Sequence, residues 1–382
     1  MIVNNNTTLN AGLPFGGPAF AFFGFALLVL SGCDPDKGTE STDFDRSAYL
    51  IHTADELIVP SYEEFASDAS NLYDVFVGLE SGTVTSENVI ALREGLRTAN
   101  ISWQQAQLFD FGPAITRALL VTTNTYPTDT SEIVAACFAG SWTGGLPATL
   151  NSSGLPAMDW MLFKGDETEV ADWFNESGSG ALAHALRLAE FMRNEADAVL
   201  NSWNTDYRDE FVASTGTEMG SSMGEFLNAF NRVFEGNIRK QKLGLPNGAM
   251  TFSQTPQPSL VEAPYAGNWS VDLLAESLRA AARAYFGDGE NGSTQALGLD
   301  DYLKSLGNVE FGEGLHEDIS AQLASAQTAV LLLEDPLAEF VVNQQATSLE
   351  VYAELQALVV LWKVDMMSSL GVLITYFDND GD

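Results

Sequence analysis

Apolar residues recur along most of this chain at steps of three and four. Val89, Leu92, Leu96, Ala99, Trp103 and Ala106 fall on one face of a helix, with polar residues between them. Leu182, Leu186, Ala189, Ala196, Val199 and Trp203 repeat the pattern, and 315–333 and 349–373 predict two more long helices. No set of segments alternates with the period of two that strands require. The expected fold is therefore all-α and built from helical bundles.

Punctuation divides the helical pattern. Pro60 should kink or split the first helix, since proline lacks an N–H and its ring clashes with the preceding turn. Residues 244–268 carry Pro246, Pro256, Pro258 and Pro264 among small polar residues, so this stretch cannot be a regular helix. It is the expected linker between an N-terminal bundle (43–243) and a C-terminal one (269–382). Residues 126–180 are rich in Gly, Pro, Thr and Ser and read as a long irregular stretch, ordered by Trp142, Trp160 and Trp173.

The N-terminus reads as a targeting segment. Ala19 to Leu30 is apolar but too short to span a bilayer. It ends in Leu30-Ser31-Gly32-Cys33, the pattern of a bacterial lipobox, which makes 1–32 a signal peptide and Cys33 the lipidated residue. Residues 1–32 depart from the usual pattern in lacking Lys and Arg. The expected product is a lipid-anchored protein of the bacterial cell envelope, in the periplasm or on the outer membrane, tethered through 33–42 and held to the membrane by its acyl chains. With Cys33 acylated, Cys137 has no disulfide partner, and its apolar surroundings predict a buried structural thiol.

Charge removes one class of partner. The 382 residues carry 52 acids against 17 bases, a formal charge of −35, so a nucleic-acid polyanion would be repelled. Known catalytic patterns are also missing. His52, His184 and His316 form neither HxxxH nor HExxH, and each falls on a predicted helix as a satisfied surface or groove residue. Gly287 to Gly292 fits GxGxxG but follows a helix and carries two acids, which argues against a phosphate loop. The terminal Asp378-Asn379-Asp380-Gly381-Asp382 lacks the spacing of an EF-hand.

Several ordered segments resemble one known family. Gly154-Leu155-Pro156-Ala157-Met158-Asp159 resembles the Gly-x-His-x-x-Glu motif of the imelysin family, also called insulin-cleaving membrane proteases, with proline at the histidine position and aspartate at the glutamate position. Val59 to Phe65, Trp103 with Phe109 to Pro113, Lys242 to Gly248, Pro264-Tyr265 and the stretch from Leu370 to Asp382 are similar to further family segments, the last to a Bacteroidetes-type branch. The resemblance implies two helical bundles with the motif near a cleft between them, and a role in iron acquisition.

On its residues alone, Pro156 would begin a short helix over 156–163, with Asp159 in the first turn where the helix dipole favours an acid at ~0.3–1 kcal/mol. The resemblance sets a ligand-cleft reading beside that one, with Gly154, Pro156, Asp159, Tyr62, Glu63, Glu64 and Asp110 as candidates. Asp159 and Glu63 are the expected metal ligands. Their hard oxygens suit a divalent or ferric cation better than zinc, and Pro156 supplies no ligand atom where an imidazole would stand. The expected role is non-catalytic binding of a metal, iron or haem ligand, or of an uptake partner. A metallopeptidase and an envelope scaffold or receptor partner are the alternatives.

Overall fold

The computed structural model describes residues 44–288, 296–307 and 312–376. The signal peptide, the tether with Cys33, most of the 287–292 glycine loop and the acidic terminus lie outside them. Among the described residues there is no strand, and no helix is long and apolar enough to cross a membrane. The fold is all-α, as the periodicity predicts.

In chain order the α-helices are α1 (Arg46–His52), α2 (Val59–Leu79), α3 (Ser86–Ala106), α4 (Pro113–Thr116), α5 (Leu119–Thr123), α6 (Thr130–Ala139), α7 (Gly154–Phe163), α8 (Glu167–Asn175), α9 (Ala181–Ser202), α10 (Arg208–Ala213), α11 (Ser222–Val233), α12 (Ser270–Phe286), α13 (Leu299–Ser305), α14 (Gly314–Val330), α15 (Leu337–Asn343), α16 (Gln345–Val359) and α17 (Met367–Ser369). π-helical turns at Thr53–Ile58, Trp203–Tyr207, Phe234–Gly244 and Val360–Met366 extend α1, α9, α11 and α16. The break expected at Pro60 takes this form. The wider π turn before it absorbs the missing N–H, and α2 begins with Pro60 in its first turn.

α2 packs against α3 and α9. α3 turns its other flanks to α7, α8 and α12, and α12 continues through α14 to α16. One hydrophobic core runs through all of these helices. The predicted stripe on α3 is the buried one, from Val89 to Ala106, and Thr85 caps its start by a reciprocal bond with Asn88. On α9 the predicted Ala189, Ala196, Val199 and Trp203 are buried, while Leu182 and Leu186 are half-buried, and Ala185, Leu188 and Met192 complete the core face.

Residues 126–180 are not the long irregular stretch expected. They hold α6, α7 and α8. The missed signals are caps: Asp129 accepts from the N–H groups of Ser131 and Glu132, and Asp166 forms a capping box with Glu169.

The proline-rich 244–268 segment contains no α-helix, only a 3₁₀ turn at Pro258–Leu260. It is bound at both ends. Gly244, Pro246, Asn247 and Gly248 are buried on one side, and Val261, Glu262 and Ala263 on the other. Its middle is exposed, with the Phe252 side chain wholly in solvent. Limited proteolysis should therefore cut first between 251 and 257, at Phe252 for a chymotrypsin-like enzyme. Earlier cleavage within α3 or α9 would contradict this description of the connection.

Candidate functional site

α7 is held at each end. Ser153, extended before the helix, donates from Oγ to the Thr122 carbonyl at 3.2 Å. Gly154 has φ +67°, and a Cβ there would run into the carbonyls of Thr122 and Thr123. At the other end Arg93 of α3 donates from Nε to Leu162 O at 2.9 Å and from Nη2 to Gly165 O at 2.8 Å, a cation at the carbonyl end of the dipole. The helix starts two residues before the predicted one. Pro156 is its third residue, still among the positions whose N–H has no intrahelical partner.

Asp159 consequently lies beyond the first turn, and the dipole account of it does not hold. Its partners are distant in sequence. One carboxylate oxygen accepts from the Tyr265 amide at 3.1 Å and the other from the Ala266 amide at 2.9 Å. The side chain is 1% exposed and clamps the Pro264-Tyr265 turn to α7. Burial raises its pKa to about 7, the two amides pull it down, and the nearby Glu262 charge pushes it up again.

Glu262 is the hub beside it. It is 2% exposed, as is Lys242, whose ammonium it pairs with. Its Oε1 accepts from Asn124 Nδ2 at 2.7 Å and Gln104 Nε2 at 3.4 Å, and its backbone carbonyl accepts from Ser270 Oγ at 2.6 Å, at the start of α12. Burial pushes the Lys242 ammonium down, and the Glu262 carboxylate opposes it. Gln104 continues the polar network to Gln107 and Ser277. Asn124 Oδ1 and Tyr126 Oη are buried here without a partner in the protein.

The segments that resembled one family thus meet: α7, the 242–248 run and the 262–266 turn share one buried polar junction. A second junction joins two more. Tyr62 Oη donates to Phe109 O at 2.8 Å, and Arg232 bridges the Asp110 carboxylate at 2.8 Å and its carbonyl at 2.7 Å. Burial raises Asp110 above the usual carboxylate range, and Arg232 opposes it. Gly112 turns at φ +51° against the Tyr207 ring, which a Cβ would strike.

The other candidates are dispersed. Glu63 is exposed on α2 and Glu64 half-buried beside it, so Glu63 does not share the interior of Asp159. Among the described residues no group of three or more His, Cys, Asp and Glu side chains is placed to hold a metal ion. His52 bonds the Gly287 carbonyl at 2.6 Å, and His316 bonds Tyr285 at 3.1 Å. His184 differs from the surface role expected of it. It is fully buried, and burial with the nearby Arg187 lowers it to about 4. Cys137 is buried, with its thiol pushed up by burial. An open groove of about 370 Å³ lies along the end of α7, walled by Phe163 and Trp269 with Arg93 and Arg97 at its side.

Sequence reasoning missed Glu262, Asn124 and Gln104 and gave Lys242 no role. Lys242 was visible as the first residue of its family-like run. Glu262 stands two places before Pro264 with no periodic signal, since it lies in a turn.

The imelysin family model matches residues 58–361. Iron-regulated protein A of Synechococcus elongatus is 22% identical over 295 residues, covering 74% of each chain. Two solved structures share the fold. An imelysin-like protein from Psychrobacter arcticum superposes with TM-score 0.66 at 17% identity, covering 87% of this chain and 97% of that one. A putative iron-regulated protein A precursor from Parabacteroides distasonis gives 0.67 at 18%, covering 84% and 95%.

The junction has two measurable consequences. The folded protein binds a proton at Asp159 between about pH 3.8, the ordinary aspartate value, and about 7, where the unfolded chain does not. Stability from this group is therefore full below that window and is lost as pH rises through it. Denaturant midpoints of Asp159→Asn should show a flatter fall across the window than the wild type; parallel curves would show that Asp159 is ionised throughout. Lys242→Ala should destabilise by ~3–5 kcal/mol, because it leaves the Glu262 charge buried and alone. A loss under ~1 kcal/mol in the same titration, the worth of an exposed pair, would mean that water reaches the pair.

Proposed function

The chain belongs to the imelysin family, and from that premise we propose that it is an exported, lipid-anchored envelope protein that binds an iron-related ligand and cleaves no peptide. One observation carries the non-catalytic half. The motif position that would offer an imidazole is Pro156, and the motif acid Asp159 spends an oxygen on each of two backbone amides. Metal-dependent hydrolysis needs an activated water on a ligand set with an open position, and a base placed beside it. An acid holding a turn in place suits a binding junction better than a moving proton.

The iron-related half draws on the relatives. Both the cyanobacterial protein and the Parabacteroides protein bear the name iron-regulated protein A. A divalent or ferric cation, free or in a chelate or haem, is the proposed ligand class, and the junction around Asp159 with the groove at the end of α7 is the proposed binding region. Export is supported by the word precursor in the Parabacteroides protein's name, and lipid attachment by Cys33 at its lipobox position.

Metal and haem analysis of gently purified protein, beside peptide-library cleavage with and without chelator, tests the binding reading. Bound iron or haem without cleavage is expected, with affinity reduced in Asp159→Ala. Chelator-sensitive cleavage that disappears in Asp159→Ala would establish a peptidase instead. For anchoring, Cys33→Ala should leave the detergent phase on fractionation. Retention there at the wild-type mature size would rule out acylation of Cys33.

A further inference from the structure

The carboxyl end of α7 and the outer face of α8 line an open cavity of about 550 Å³. Lys164, which follows the last residue of α7, stands on one side, and Glu169, Asp172, Trp173 and Glu176 stand on the other. The last four are spaced three, one and three residues apart, which puts them along one side of α8. Val170, Ala171 and Phe174 turn the other side to the core. The Trp173 ring meets Trp160 edge-on with centroids 5.8 Å apart and stacks beside Phe174 at 5.7 Å, so its position is fixed from two directions.

The Lys164 ammonium lies over Trp173, 3.9 Å from the ring centroid, and 5.5 Å from that of Trp160. It rests on indole although three carboxylates line the same cavity, and among the described residues it forms no ion pair. The negative face of an indole holds a cation in this way. Asp172 and Glu176 likewise have no counter-ion among the described residues, and Glu169 accepts from the Asp166 amide at 3.0 Å. The acids are not gathered for one metal, since no such group of side chains among the described residues is placed to hold an ion. The rise of a helix sets positions 172 and 176 ~6 Å apart along the axis, with Trp173 between them. Separated negative charges beside an aromatic face match a long cation, charged at both ends and apolar between. The lysine already there, an alkyl stem ending in an ammonium, is half of such a molecule.

We propose that this cavity binds a short aliphatic di- or polyamine, its methylene stem on Trp173 and its ammonium groups at Asp172 and Glu176. Lys164 covers the indole in the empty protein and gives way when the amine binds. The charge of −35 adds a field that concentrates such cations at the surface. The cavity shares no lining residue with the groove beside Phe163 and Trp269, so the proposal stands or falls apart from the iron-related reading.

The test is a titration of the purified protein with 1,5-diaminopentane at fixed ionic strength, followed by calorimetry and tryptophan fluorescence. 1-Aminopentane and 1,5-pentanediol keep the stem and remove one charge or both. The diamine should fill one saturable site, bind about two- to fivefold tighter than the monoamine, as one exposed ion pair allows, and leave the diol without saturable binding. Asp172→Asn and Glu176→Gln, both at exposed positions, should each weaken the diamine by about the same factor. Lys164→Met should tighten it by about two- to fivefold, because the competing ammonium is gone. Trp173→Leu should remove the fluorescence change, and where that variant does not fold the two carboxylate variants decide. Glu350→Gln, an exposed acid on α16, should change nothing. The proposal fails if the monoamine and diamine bind alike, or if both carboxylate variants bind as the wild type does. It fails equally if Glu350→Gln weakens binding as much as they do, if the fluorescence change survives in folded Trp173→Leu, or if Lys164→Met does not tighten binding.

Discussion

An ammonium group taken out of water must keep a counter-charge beside it, and Lys242 meets that demand with Glu262 alone among the contacts described. The consequence spreads outward from the pair. Glu262 sits in a turn, so the turn must be delivered to the lysine. Asn124, Gln104 and the Ser270 hydroxyl then fix it from three directions. With Glu262 fixed, the amides of Tyr265 and Ala266 fall where Asp159 can accept them. The junction is therefore organised around one buried charge pair, and α7, α3, α12 and the 242–248 run are registered against one another through it.

The lysine reaches this position through an unusual backbone. Phe234–Gly244 is π-helical, and the Leu245 N–H closes it on the Lys240 carbonyl at 2.8 Å, five residues back. A π turn inserts a residue relative to an α-helix and so rotates the turns beyond it about the helix axis. The α11 face that packs Phe226 and Phe230 into the aromatic core is thereby uncoupled from the face that presents Lys242.

Much of the fold was legible because helix periodicity is a local property. The α3 stripe needed only its own sequence, and so did the proline-rich break after Gly244. Where the reading failed, local signals were short or partners were remote. α8 is nine residues long and announced mainly by Asp166 and Glu169. The α9 stripe held from Ala189 to Trp203, but its first turns bury Ala181 and Ala185, which carry little hydrophobic weight, in place of Leu182 and Leu186. Asp159 was found as a motif residue but given the wrong partner, since the amides it holds are 106 and 107 positions away. His184 shows the reverse: neutral and buried, it is carried into the core with Ala181, Ala185 and Leu188 in the first turns of α9.

Gly154 separates two things that a sequence motif merges. The carbonyls of Thr122 and Thr123 leave no room for a side chain there, whatever stands two places later. The glycine answers to packing, and the residue at 156 is free of that constraint. Two positions read together in one signature can therefore vary independently, and a matching glycine in a related chain testifies to a shared shape and says nothing of what stands beside it.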